Sequence, residues 1–422
     1  MSSVTIRRLA FVLVGLVAVA ARWTFVDLES IDYVAFLSRW WAYIGQHGHL
    51  AALKDGSFSN YNTPYLVLLA LATYLPVRAI AAIKAISIAF DILLAITASR
   101  LVVAVRPRSQ WLPFVAFTAV CLLPTAVMNS GVWAQCDSIY ATFCLASLVS
   151  LVRGRPWRAS AWFGLAFAFK MQSLFLLPVL VGVLLVNRLR LRTLAAAPVT
   201  FLACLVPALL AGRSLWSQLG VYSAQIADPS GAGNSSGGGA SGGEMPGGPG
   251  TPGIPGGPGG PSGGMPATSP AATTLTHNAP TPYAWLPSSS LLLYAGLAVT
   301  ALVIIGFGVW LLRRKKPLSP AEIVLVAATA ALLIPLLLPH MHDRYFYLAE
   351  VLLVVACTVD WKFVIPALGI QVASISTYLN FLRGTPLMPL GVAAGVASIA
   401  GMAAAVLLVR SLRAPTPAEV VS

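Results

Sequence analysis

The chain has too little charge to be a soluble protein. Only 9% of its 422 residues are Asp, Glu, Lys or Arg, and 58% are hydrophobic; a soluble domain carries about 25% charged residues. Lipid must be its main solvent. Mean hydropathy is +0.81 and the apolar runs cover the chain from end to end, which excludes a soluble domain on a single anchor. Acid is scarcer than base, 13 residues against 27, for a net charge of +14. The basic residues sit mostly in short loops between apolar runs, where positive charge fixes orientation. No basic stripe is interleaved with aromatics, and nucleic acid is excluded as a partner. The five cysteines (Cys121, Cys136, Cys144, Cys204, Cys357) lie in or beside apolar runs, with no CxxC or CxxH spacing. They read as small core residues, with no disulfide framework and no zinc site.

What is present is a series of apolar segments, each near the 20 residues that a span needs. The fold class expected is an all-α polytopic bundle of roughly 11–13 transmembrane helices. Arg7 and Arg8 precede the first, at about 9–21, and put its start in the cytoplasm. No small-residue cleavage site follows, so this is a first helix rather than a removed signal. A polar segment over 22–63 should then lie outside, with amphipathic pieces anchored by Trp40 and Trp41. A short apolar piece ending at Pro76 and a run over about 83–105 lead to the cytoplasmic "RPR". The segment around "LAFAFKMQSLFLLP" is too long for one helix and reads as two short ones with Lys170 at the outer apex. Residues 213–288 form a second external loop, and its glycine- and proline-rich insert, 229–270, cannot bury enough apolar surface to order itself. Five more segments follow, at about 291–312, 323–338, 346–359, 363–382 and 389–409. The expected division is a catalytic module over 1–212, the external loop over 213–288 and a second membrane module over 289–422.

The polar groups gather on one face. Asp32 in "SIDY", Asp137 in "WAQCDS", Lys170 and the cluster "HMHDRY" all fall outside by this topology. Each has an ordinary reading as a solvated acid, a helix cap, a snorkelling lysine or a surface ion cluster. Their joint placement at one depth suits a phosphate head group held by a lipid tail. Arg344 offers a planar fork, Lys170 a point charge, and His340 or His342 a titratable donor. A facing carboxylate suits a general base that deprotonates an acceptor hydroxyl as a sugar leaves its phosphate, with inversion in a single displacement.

The stretches "SIDYVAFLSRWWAYIGQHGHLAALKDGSFSNYNTPYLVLLALATYLP", "GVWAQCDSIYATF", "LAFAFKMQSLFLLP" and "LPHMHDRYFYLAE", in this order, resemble bacterial GT-C glycosyltransferases. These are similar to the eukaryotic dolichyl-phosphate-glucose-dependent glucosyltransferases of N-glycan assembly. The resemblance implies a polyprenyl-phosphate-linked sugar donor, a glycan or lipid-linked acceptor, and a site on the external face of the bacterial cytoplasmic membrane. It implies that Asp32, followed by the aromatic Tyr33, is the catalytic acid of the first external loop. It implies that His342, Asp343 and Arg344 grip the donor phosphate and that Lys170 and Gln172 match an "FK-x-Q" element. Tyr61, Asn62 and Pro64 match a "Y-x-P-P" element from which Thr63 departs. Gln135, Asp137 and Tyr345 are expected to line the same pocket.

No Asp-x-Asp pair is present, which disfavours a nucleotide donor held by a metal. No cofactor is expected; Asp27, Glu29 and Asp32 are acids that a divalent cation could use, but their spacing is unspecific. Two competing classes are a transporter or flippase of lipid-linked sugars and an inactive structural subunit. A transporter would be expected to carry paired repeats and polar groups at the midplane. No repeat is visible here, and the polar groups lie at the edge.

Overall fold

The computed structural model describes residues 3–227, 275–314 and 316–413. The insert read above as disordered, 229–270, lies outside the described residues. The protein is an all-α polytopic membrane protein, and the described residues hold one sheet of two two-residue strands. Helix α1 (Ser3–Trp23) leads into a π-turn at Tyr33–Leu37 and α2 (Ser38–Gln46). There follow α3 (Thr63–Ala72), α4 (Ala79–Val105), α5 (Leu112–Cys121), α6 (Pro124–Val127), α7 (Asp137–Val152), α8 (Pro156–Phe169), α9 (Leu177–Val186) and α10 (Ala196–Leu210). Short helices α11 (Leu215–Leu219) and α12 (Val221–Ala227) precede strand β1 (Thr276–His277). The last elements are α13 (Ser290–Arg313), α14 (Pro320–Leu337), β2 (Met341–His342), α15 (Tyr347–Val359), α16 (Val364–Arg383) and α17 (Leu390–Arg413).

Among the described residues six helices are long and apolar enough to cross a bilayer alone, and the pair Leu112–Cys121 and Pro124–Val132, bent by 45°, adds a seventh if taken as one span. This is fewer than the 11–13 expected, and the difference lies in short apolar pieces such as Thr63–Ala72, Asp137–Val152 and Met171–Val186. They are too short for a hydrocarbon core of about 30 Å. Their shortness has a use. The N-terminal ends of α3, α7 and α15 and the C-terminal end of α8 all carry polar residues, and those residues meet in one place.

Two features hold these ends. Gly164 on α8 lies so close to α10 that a Cβ there would sit 2.2 Å from the Ala197 carbonyl oxygen, so the two backbones touch, as small residues permit in lipid. Beneath the polar end, the Arg22 guanidinium is fully buried and donates to Asp91 at 2.6 Å and to the Cys121 carbonyl at 2.8 Å. Ser130 donates to the same carboxylate at 2.5 Å, and the Tyr347 hydroxyl at 3.3 Å. Breaking such a pair strands a charge in the interior at a cost of about 3–5 kcal/mol. The cluster therefore pins α1, α4, α15 and the turn that carries Trp133.

Candidate active site

The Asp32 carboxylate is held by one oxygen. Its Oδ2 accepts from Trp133 Nε1 at 2.9 Å and from Gln135 Nε2 at 2.6 Å, and lies 3.7 Å from Arg344 Nη1. Its Oδ1 accepts from no described residue. Trp133 and Gln135, two residues apart, reach the same Asp32 oxygen around Ala134, which takes a left-handed φ of 65°, a conformation that costs energy outside glycine and collects at functional sites. The turn is fixed by Ser30, whose hydroxyl donates to the Trp133 carbonyl at 2.6 Å. Arg344 also lies over the Trp133 ring, 5.3 Å from its centroid.

Lys170 stands on the other side. Helix α8 ends at Phe169, and Lys170 itself is extended (φ −149°, ψ 138°) before the chain turns into α9. This break, expected as an apex between two short helices, aims the ammonium at Asp137 Oδ1, 2.6 Å away. Asn129 Nδ2 donates to Asp137 Oδ2 at 2.8 Å. The Tyr61 ring lies 5.7 Å from the Lys170 ammonium, within cation–π range.

Asp343 and His342 flank Arg344. The Asp343 carboxylate is buried and accepts from the Arg344 backbone N–H at 2.9 Å and from Asn278 Nδ2 at 3.0 Å. Burial pushes its pKa up to about 7, against the pull of Arg344 and Asn278. Burial, helped by Arg344 and His277, pushes His342 down to about 2, so this imidazole is neutral and serves as a hydrogen-bonding group rather than a cation. Burial also works against charge on Arg344, but Asp32, Tyr61 and Asp137 outweigh it and hold the guanidinium's pKa above its ordinary value. Arg344 Nε is nonetheless buried with no acceptor, which is costly unless a ligand supplies one.

Lys170, His342 and Arg344 open on a chamber of about 570 Å³, walled also by Tyr61, Gln172 and Tyr345 among others; Asp32, Gln135, Asp137 and Asp343 stand behind that wall, Asp32 against Arg344 and Asp137 against Lys170. An apolar cavity of about 370 Å³ adjoins it, sharing Gln172, Leu297 and Tyr345. A third, of about 250 Å³, continues from there and shares Pro178, Ile304 and Ile334. One face of α13 lines all three through Leu293, Leu297, Ile304, Phe307 and Leu311. Eighteen residues at 1.5 Å each make a corridor of about 27 Å. It stays open because α13 stands apart: 17% of its apolar window is buried inside the protein, against 67% for α14.

The structure brings Asp32, Gln135, Asp137, Lys170, Gln172, His340, His342, Asp343, Arg344 and Tyr345 to this region. Tyr33 goes elsewhere: its side chain packs in the apolar core and does not reach the chamber wall. Asn62 is buried beside Tyr61, both its amide atoms lack partners, and it is not on the wall either. Asp27 turns to Arg78 on the surface, 2.7 Å away, so Asp27, Glu29 and Asp32 do not converge. Among the described residues no group of three or more His, Cys, Asp or Glu is arranged to hold a metal. Sequence reasoning missed Trp133 and Asn278. Trp133 stood in the quoted loop two residues before Gln135, and its indole N–H, a donor in a loop already holding a candidate, was the available signal. Asn278 carried none, since its partner is 65 residues away.

A family model described as Glycosyltransferase family 87 matches residues 58–245. This segment is somewhat under half of the chain. It contains Asn62, Gln135, Asp137, Lys170 and Gln172, and stops short of Asp32 and the His340–Tyr345 segment. No curated protein matches the chain. The match supports a glycosyltransferase, here one embedded in the membrane, with a sugar donor and an acceptor as its substrates.

Proposed function

We propose that the protein is an inverting glycosyltransferase that moves a hexose from a polyprenyl-phosphate donor to a glycan or lipid-linked acceptor on the external face of the bacterial cytoplasmic membrane. One observation carries the choice of donor: the polar chamber with its unpartnered buried Arg344 Nε runs into an apolar corridor of about 27 Å. A nucleotide sugar has no use for such a corridor, and a polyprenyl tail fills it, each buried methylene contributing about 0.8 kcal/mol.

On this reading the donor phosphate sits between Arg344 and Lys170, with the neutral His342 and His340 donating hydrogen bonds. The acceptor hydroxyl donates to Asp32 Oδ1, the oxygen the protein leaves unused. Trp133 and Gln135 hold the other oxygen and so fix the plane of the carboxylate. The acceptor oxygen attacks the anomeric carbon from the side opposite the phosphate, its proton passes to Asp32, and the bond from the anomeric carbon to the phosphate oxygen breaks. The electron pair leaves with polyprenyl phosphate, where Arg344 and Lys170 meet the developing charge. Donor binding also draws Arg344 away from Asp32, which strengthens the base as the donor arrives.

The test is reconstitution of the purified protein with a panel of polyprenyl-phosphate sugars and an acceptor extract, measuring release of free polyprenyl phosphate. Release from one donor should fall by about 10²-fold or more in Asp32→Asn, the range for a lost general base, with donor affinity retained. Wild-type turnover in Asp32→Asn would remove Asp32 from this role.

A further inference from the structure

The segment beginning at residue 275 is bound to the "HMHDR" segment at three levels. Strand β1 pairs in parallel with β2, Thr276 opposite Met341 and His277 opposite His342. The His340 N–H donates to the Leu275 carbonyl at 2.8 Å. The His277 ring stacks on His342, centroids 4.8 Å apart. Next comes Asn278. Its Nδ2 donates to Asp343 Oδ2 at 3.0 Å and to the Thr377 carbonyl of α16 at 2.9 Å. Its Oδ1 accepts from Asn380 Nδ2 at 2.8 Å. Both amide ends are thus used, and the residue joins α16 to the turn that carries Arg344.

Asn278 has a left-handed φ of 58°, and His340, across the pairing, one of 60°. Asparagine tolerates that conformation better than most residues. An alanine or leucine there would lose both the backbone fit and the three hydrogen bonds. The chain of contacts runs from Asn278 Nδ2 to Asp343, and from the other Asp343 oxygen to the Arg344 backbone N–H.

We infer that Asn278 is a positioning residue for the phosphate grip: through Asp343 it sets the backbone from which Arg344 reaches the chamber. The inference rests on the proposed donor-phosphate site. It makes the far end of the second external loop a working part of that site, although the residue lies outside the family match and outside every motif that carries the resemblance. The titratable and charged groups acting on Asp343 are Arg344 on its own turn, Asp32 from the first external loop and Tyr378 from α16; His342 precedes it in the chain and stacks on His277.

The experiment measures binding of polyprenyl phosphate to the full purified chain in nanodiscs across a pH series, for wild type, Asn278→Ala and Asn380→Ala, with melting temperature as the control for folding. Asn278→Ala should weaken binding by about tenfold, the scale of one hydrogen bond to a charged group. It should also move the pH at which affinity falls to a higher value, because the amide N–H that favours the ionised carboxylate is gone. Asn380→Ala leaves the bond to Asp343 in place and should change neither by more than about twofold. A lower melting temperature with wild-type affinity and an unmoved pH midpoint would make Asn278 a scaffold residue only and overturn the inference. No binding of polyprenyl phosphate by wild type would instead overturn the donor-site reading.

Discussion

At the scale of the residue, the site is a problem of charge balance. Asp32, Asp137 and Asp343 face Arg344 and Lys170, three acids against two bases. Adding a phosphodiester anion to a fully ionised site would leave two uncompensated negative charges at partial burial, where each close pair is worth about 4 kcal/mol. Asp343 relieves this. With its pKa at about 7, it can take up a proton as the anion enters. The sign follows: the protonated form binds the donor better, so donor affinity should hold below about pH 7 and weaken as pH rises through that value. Asp343→Asn should flatten the dependence; a wild-type slope in that variant would assign the titration to another group. His342 stays neutral throughout, since its pKa lies at about 2.

At the scale of the element, shortness and separation do the positioning. Helices α3, α7, α8 and α15, of 10, 16, 14 and 13 residues, each bring one end toward the chamber. Helix α13 does the opposite, running its full length beside a gap. Gly182 on α9 and Gly308 on α13 line the far cavity, and nothing lies within 4 Å of where their Cβ atoms would be. Gly308 is eleven residues beyond Leu297, about 16 Å along the helix, so only a long tail reaches it. Gly308→Phe should raise KM for a long-chain donor about tenfold, the equivalent of about two displaced methylenes. It should leave a donor with one short prenyl unit unchanged, and equal effects on both donors would mean the corridor does not hold the tail.

At the scale of the whole molecule, the positive loops and the polar chamber belong to opposite ends of the bundle. The basic runs at 106–108, 153–158, 188–192 and 313–316 follow or precede helix ends remote from Lys170 and Arg344. The proposed external site needs these runs to face the cytoplasm, as the positive-inside rule would have them. A single cysteine placed at Ser57, which is exposed beside the chamber end, should react with a membrane-impermeant maleimide in intact cells. One placed at the exposed Arg155 should react only after permeabilisation. The reverse pattern would move the chamber to the cytoplasmic side and end the reading of an external reaction.

The fold class was legible in composition alone, because a chain with so few charges has only lipid to dissolve in and only helices to satisfy its backbone there. The apex at Lys170 was legible too, since an apolar run that long cannot stay straight around a lysine. Asp32, Arg344 and the rest of the cluster were found as residue types gathered at one depth. Their pairing was not legible. Which oxygen of Asp32 is occupied, the burial of Arg22 against Asp91, the turn of Tyr33 into the core and the reach of Asn278 to Asp343 all join residues far apart in sequence. Hydrophobic period reports which side of a helix meets lipid and carries no information on which polar ends meet one another. Only packing in three dimensions decided that, and with it the shape of the corridor, which is a space between helices and belongs to no segment of the chain.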